Sequence, residues 1–174
     1  MSLDGRRVGI LVEKQYQELE VWYPLLRVVE EGAEAIVIGP EAGCEYPSKL
    51  GYPVTSDRAA ESIRAEDLDA LVIPGGFAPD FMRRSPAMVK LVADALAADK
   101  VVAAICHGGW MLASCPKHLK GRRCTSFFAI KDDMINAGGK WEDAEVVVDG
   151  NLITSRKPAD LPAFCRAIIA ALNA

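Results

Sequence analysis

Short runs of apolar residues alternate along the chain with amphipathic stretches of helical length. Arg7 to Glu13 (RVGILVE) reads as a β-branched strand, and Leu19 to Glu31 places apolar side chains at 19, 22, 25, 26 and 29, one face of a helix. Gly32 stops that helix and Ala35 to Gly39 supplies a further strand, so the three elements predict a βαβ unit. Pro40, Gly43, Pro47, Gly51 and Pro53 then punctuate a loop with room for one short hairpin. Asp69 to Pro74 is another apolar strand ending at Gly75-Gly76, Pro86 to Ala98 has helical spacing, and Val101 to Ile105 is the next buried strand.

Strands that read as unbroken apolar runs between helices are those of a parallel sheet covered on both faces. The second half adds helices over His107 to Ser114 and Ile130 to Ala137. Two strand-like runs, Ala144 to Val148 and Asn151 to Ser155, flank Asp149-Gly150, a strong hairpin signal. Asp160 to Leu172 carries Leu161, Phe164, Ile168, Ile169 and Leu172 at i, i+3 and i+4 intervals, a closing amphipathic helix. The pattern predicts one α/β domain over residues 1–174, a three-layer sandwich with a mostly parallel central sheet and an added β-hairpin.

Composition narrows the function classes. At 51% hydrophobic and 25% charged over 174 residues, the chain has the makings of a folded core, not of a disordered or fibrous protein. The net charge of −4 offers no basic field for nucleic-acid phosphates, so no nucleic-acid role is expected. No apolar run approaches the roughly 18 residues of a membrane span. Met1 to Arg7 lacks the apolar core of a secretion signal, which predicts a cytoplasmic protein with no membrane association. Cys44, Cys106, Cys115, Cys124 and Cys165 are odd in number and lack C-x-x-C spacing, against a disulfide framework or a zinc ribbon; most are expected to be reduced, buried thiols.

The chemistry concentrates where the Val101–Ile105 strand runs into Cys106-His107-Gly108-Gly109. Ala104 and Gly108 stand two residues either side of Cys106, the small-residue pattern of a nucleophile elbow, a strained strand-to-helix turn that exposes its central side chain. At the start of a helix, the Cys106 pKa is expected to fall. His107 can serve as base or acid, although neighbours on an elbow point in different directions; His118, in a Pro/Lys-rich turn, reads as a surface residue. Gln17, Glu18 and Glu20 fall near the carboxyl end of the sheet, where a carboxylate either compensates the helix dipole or lies over the Cys106 sulfur. Such an acid donates to a thiolate if protonated and acts as a base if ionised. Gly75 and Gly76 are either turn glycines or the backbone donors of an oxyanion hole.

These segments resemble the ThiJ/PfpI superfamily, and its PfpI branch most. The likeness is carried by A-I-C-H-G at 104–108, P-G-G at 74–76, T-S-F-F-A-I-K-D-D-M-I-N-A-G at 125–138, W-E-D-A-E-V-V-V-D-G-N at 141–151, S-R-K-P-A-D-L at 155–161 and the N-terminal E-L-E-V-W-Y-P. The resemblance implies a flavodoxin-like core related to class I glutamine amidotransferases, with Cys106 as nucleophile beside His107. It implies that Glu20 contacts the cysteine. Glu18 stands where PfpI-like sequences carry one of a further acidic pair, and Gln17 replaces the other. Asp80 stands where a Glu is said to complete a Cys-His-acid triad from a neighbouring subunit, so a homodimer or hexamer is implied. Phe127 replaces a tyrosine, removing a hydroxyl from the thiolate's surroundings.

Three functions fit those residues. The first is a stress-related enzyme for reactive carbonyls, a glutathione-independent glyoxalase or deglycase that uses Cys106 with Glu20 or His107 as proton carrier and needs no metal or organic cofactor. The second is an intracellular cysteine peptidase in which Asp80 orients His107 and Gly75 or Gly76 supplies the oxyanion hole. The third is a non-catalytic redox sensor or chaperone in which Cys106 is oxidised to a sulfinate. The carbonyl enzyme ranks first, with Glu18 and Phe127 among the substrate-contacting residues and a small carbonyl compound or a peptide as substrate.

Overall fold

The apolar runs are unbroken because the strands they form are shielded on both sides. The computed structural model describes residues 2–174. Its first half runs β1 (Arg7–Leu11), α1 (Glu18–Glu30), β2 (Glu34–Gly39), β3 (Glu45–Pro47), β4 (Pro53–Thr55), β5 (Arg58–Ala59), β6 (Ala70–Ile73), α2 (Ala78–Met82) and α3 (Pro86–Ala97). The second half runs β7 (Val101–Ile105), α4 (Gly109–Ala113), α5 (Pro116–Leu119), β8 (Arg123–Cys124), α6 (Lys131–Asn136), β9 (Lys140–Trp141), β10 (Val146–Asp149), β11 (Leu152–Ser155) and α7 (Leu161–Leu172). Seven strands form one sheet in the order β10-β11-β7-β6-β1-β2-β5, parallel throughout except for β10, which pairs antiparallel with β11. All four residues of β6 are buried, as are the last four of β7.

Among the five longer parallel strands, β2-β1-β6-β7-β11 is the winding order of a flavodoxin-like fold, whose crevice opens at the carboxyl ends beside the switch between β1 and β6. α1 and α7 pack on each other and against the sheet, as do α3 and α4, giving the three layers. Register holds the ends level: Val8 pairs with Ala70 and Ile73 with Ala104, so the segments leaving β1, β6 and β7 meet at one edge.

The predicted hairpin is β10–β11, turning through Gly150 and Asn151 with Gly150 at φ +58°, where glycine's missing side chain is needed. The loop after β2 holds the short β3–β4 hairpin. The expected continuous helix from His107 is instead a 3₁₀ turn over Cys106–Gly108 followed by the five-residue α4. β5, β8 and β9, two residues each, are too short to leave a period in the sequence. The five cysteines are free thiols, Cys44 partly exposed and the other four buried. No helix among the described residues is long and apolar enough to cross a membrane.

Candidate active site

The site begins at the end of β7. Cys106 follows Ile105 with φ +60°, a left-handed conformation unfavourable for a residue with a Cβ. The turn closes because Gly108 has no side chain: a Cβ there would lie 2.4 Å from the carbonyl oxygen of Ile73. The elbow leaves Cys106 only 8% exposed, at the base of a cleft. The neighbouring imidazole does reach the thiol, with His107 Nδ1 3.4 Å from Cys106 Sγ. Its ring stacks on Phe127 at 5.0 Å between centroids and meets the edge of Trp110 at 5.1 Å. Burial, helped by the charge of Lys49, lowers the His107 pKa and favours a neutral imidazole.

Glu20 approaches from the first turn of α1. Gln17 caps that helix, its Oε1 accepting from the Glu20 backbone N–H at 3.0 Å, and the Glu20 side chain is fully buried. Glu20 Oε2 accepts from the Gly75 N–H at 2.7 Å, Oε1 is buried without a hydrogen-bond partner, and the carboxyl lies close enough to the Cys106 thiol for each to shift the other's pKa. Only glycine fits at 75, where a Cβ would come within 2.7 Å of Glu20 Oε2 and 2.9 Å of Cys106 Cβ. Burial pushes the Glu20 carboxyl up to about 7, against the lowering effects of Gly75 N–H, Cys106 and Lys49.

The thiol departs from the sequence expectation. Its pKa is pushed up to about 12, first by burial and then by the Glu20 charge, although backbone N–H groups of His107 and Gly76 pull it down. The reason is local. A five-residue helix behind a 3₁₀ turn provides little dipole, and a carboxylate in a dry site opposes a second negative charge. Cys106 and Glu20 therefore hold one negative charge between them, carried mainly by the carboxylate in the resting site.

The cleft above the thiol has a volume of about 350 Å³ and is lined by Gln17, Glu20, Lys49, Gly76, Phe77, Cys106, His107, Phe127 and Pro158. Three candidates read from the sequence stand elsewhere or act differently. Glu18 holds the β3–β4 loop, accepting from Ser48 Oγ at 2.5 Å and Leu50 N at 2.8 Å, and is not among the residues lining the cleft. Asp80 pairs with Arg84 and makes no hydrogen bond to His107 within this chain. The Gly75 N–H is engaged by Glu20, so of the two glycines only Gly76, at φ +72° against Gln15 and Gln17, presents its amide to the sulfur. His118 is half-buried in α5, outside the cleft. Lys49 escaped the sequence reading, because nothing in a Pro/Gly-punctuated loop links it to a cysteine 57 positions later.

The sequence that builds this sheet and site matches the DJ-1/PfpI family over residues 6–171, and the chain belongs to that family. It is 45% identical over 167 residues to the deglycase PYRAB04690 of Pyrococcus abyssi, covering 96% of this chain and 99% of that one. The deglycase PfpI of Pyrococcus furiosus is 40% identical over 167 residues, with the same coverage, 96% and 99%. Among solved structures, a two-domain protein of Anabaena variabilis with DJ-1/ThiJ/PfpI-like and ferritin-like domains superposes with a TM-score of 0.94 at 41% identity, covering 96% of this chain and 48% of that chain.

Proposed function

We propose that this chain is a cysteine-dependent deglycase that removes methylglyoxal from amine and thiol adducts, releasing lactate without glutathione. The observation that carries the reading is the Cys106–Glu20 pair, a thiol beside a buried carboxylate poised near neutrality. Relatives named deglycases over nearly the whole chain support it.

Glu20 takes the Cys106 proton as the sulfur attacks the carbon bearing the adduct hydroxyl. The carbon–nitrogen or carbon–sulfur bond to the carrier breaks, and that proton passes from Glu20 to the departing amine or thiol. The product is a hemithioacetal on Cys106. Glu20 or neutral His107 then moves the C1 proton to the adjacent carbonyl oxygen, giving an enediol, and the C1 hydroxyl proton ends on C2. The resulting lactoyl thioester is hydrolysed by water, which returns a proton to the sulfur and frees lactate. The Gly76 and His107 amides, already aimed at the sulfur, suit an oxyanion forming beside it. A peptidase of the kind the resemblance implies needs in addition an Asp80 carboxylate brought to His107 by a neighbouring subunit, which the Cys106–Glu20 pair within one chain does not require.

The test is release of lactate and free carrier from a methylglyoxal adduct, without glutathione, by wild type and Cys106→Ser. Lactate from the wild type alone supports the reading. Lactate from neither protein, with both folded and the thiol reduced, overturns it.

A further inference from the structure

One cationic side chain lines the cleft, that of the exposed Lys49, and the backbone carrying it is anchored from both sides. Lys49 lies on the loop between β3 and β4, and its flanks are tied to the α1 end of the site. Ser48 Oγ and Leu50 N–H both donate to Glu18 Oε1, and the Lys49 N–H donates to Tyr16 O at 3.0 Å. Tyr16 in turn bridges to both Ser48 and Gly76, so the loop is registered against the segment that faces the Cys106 sulfur. Hydrogen bonds from Ser48, its own backbone and Leu50 outweigh burial and keep the Glu18 carboxyl ionised, with Ser48 itself only 5% exposed. Glu18 is thus a positioning residue for this loop.

Lys49 makes no ion pair with any described carboxylate, and its charge is felt by Glu18 on the loop side and by Glu20 and His107 across the cleft. A second donor stands in the same lining. Gln17 must turn Oε1 toward the Glu20 N–H to cap α1, so its NH₂ group is directed elsewhere, and no described residue accepts from it. An ammonium and a carboxamide N–H₂ without further cations suit a carboxylate monoanion better than a phosphate dianion, which calls for several charged or backbone donors. The protein as a whole carries −4, so its general field repels anions and any preference for them must arise locally.

We propose that Lys49 and Gln17 form a carboxylate subsite, selecting carbonyl adducts whose carrier bears a carboxylate over uncharged ones. The inference rests on the deglycase reading for its substrate class. Phe127 and Phe77, in the same lining, offer an uncharged carrier apolar contact without a side-chain hydrogen bond.

The experiment measures kcat/KM for methylglyoxal adducts of N-acetylcysteine and of its uncharged amide at equal adduct concentration. The ratio of the two is expected to be about tenfold in wild type, which corresponds to about 1.4 kcal/mol. It should fall to about unity in Lys49→Ala, invert in Lys49→Glu and largely recover in Lys49→Arg, with the change in KM, as for a uniform binding contact. A wild-type ratio near unity, or one that survives Lys49→Ala, overturns the proposal. A binding arm separates this from failure of the deglycase reading. The unreactive pair N-acetylglycine and N-acetylglycinamide is titrated while following the His107 ring by NMR, readily assigned because the chain has 2 histidines. Lys49-dependent binding of the acid alone, with neither adduct turned over, keeps the carboxylate subsite and discards the reaction. Equal binding of acid and amide discards the subsite.

Discussion

At the scale of single residues, the site is a negotiation over one proton. Glu20 can accept the Cys106 proton only when ionised, and burial sets its carboxyl near 7. The kcat/KM for lactate formation should therefore rise with pH through about 7 and level off above it, a limb read from a pH–rate profile. Glu20→Gln should remove that limb together with most of the activity. Cys106→Ser should abolish lactate formation, whereas Cys115→Ser and Cys165→Ser, buried in apolar surroundings away from the cleft, should retain it. Asp80→Asn offers a sharper separation. Because its carboxylate faces Arg84, lactate formation should persist, while a peptidase triad built on Asp80 would collapse. The residues visible in the sequence were those with a local signature: Cys106 between Ala104 and Gly108, and Glu20 in a first helical turn. The place of Lys49 in the cleft and the hold of Glu18 on Ser48 depend on a loop folding back against α1, and no spacing records that contact.

At the scale of elements, long strands and helices were legible because their periods repeat. The α3 and α7 expectations match Pro86–Ala97 and Leu161–Leu172 within a residue or so at each end. The helix expected from His107 was not legible as two pieces, since Gly108 and Gly109 tolerate either geometry and the break follows from the left-handed Cys106. That break makes a stability prediction. Gly108→Ala would drive a Cβ against the Ile73 carbonyl, backbone that cannot swing aside, and should lower stability by about 1–3 kcal/mol. A denaturant midpoint shift without a change in m checks this, and a neutral result would mean that the elbow is more pliant than its packing implies.

At the scale of the whole molecule, the buried carboxyl appears as pH-dependent stability. Glu20 is raised from 4.5 to about 7, so between these values the folded chain binds more protons than the unfolded one. Unfolding free energy from this group is then fully present below about 4.5 and falls as pH rises to about 7, by about 3 kcal/mol. Glu20→Gln removes the titration, so relative to wild type it should gain stability on going from pH 4.5 to pH 8, in contrast to its loss of activity. Paired chemical denaturation of the two proteins at those pH values tests the linkage; parallel curves would place the Glu20 pKa near its ordinary value. The parallel sheet could be anticipated from fully apolar strands, but which carboxylate would be buried depends on how α1 meets the β6–β7 edge, a consequence of strand order.

The left-handed backbone at Cys106 also bears on what sustains the residue over generations. Glycine would adopt φ +60° without strain and would leave no thiol beside an ionised carboxylate. A library randomised at this codon and sorted for thermal resistance alone should drift toward glycine, whereas sorting for survival under methylglyoxal should restore cysteine. On the proposed reaction, the thiol is kept in place by the chemistry it would perform, against the preference of the fold that presents it.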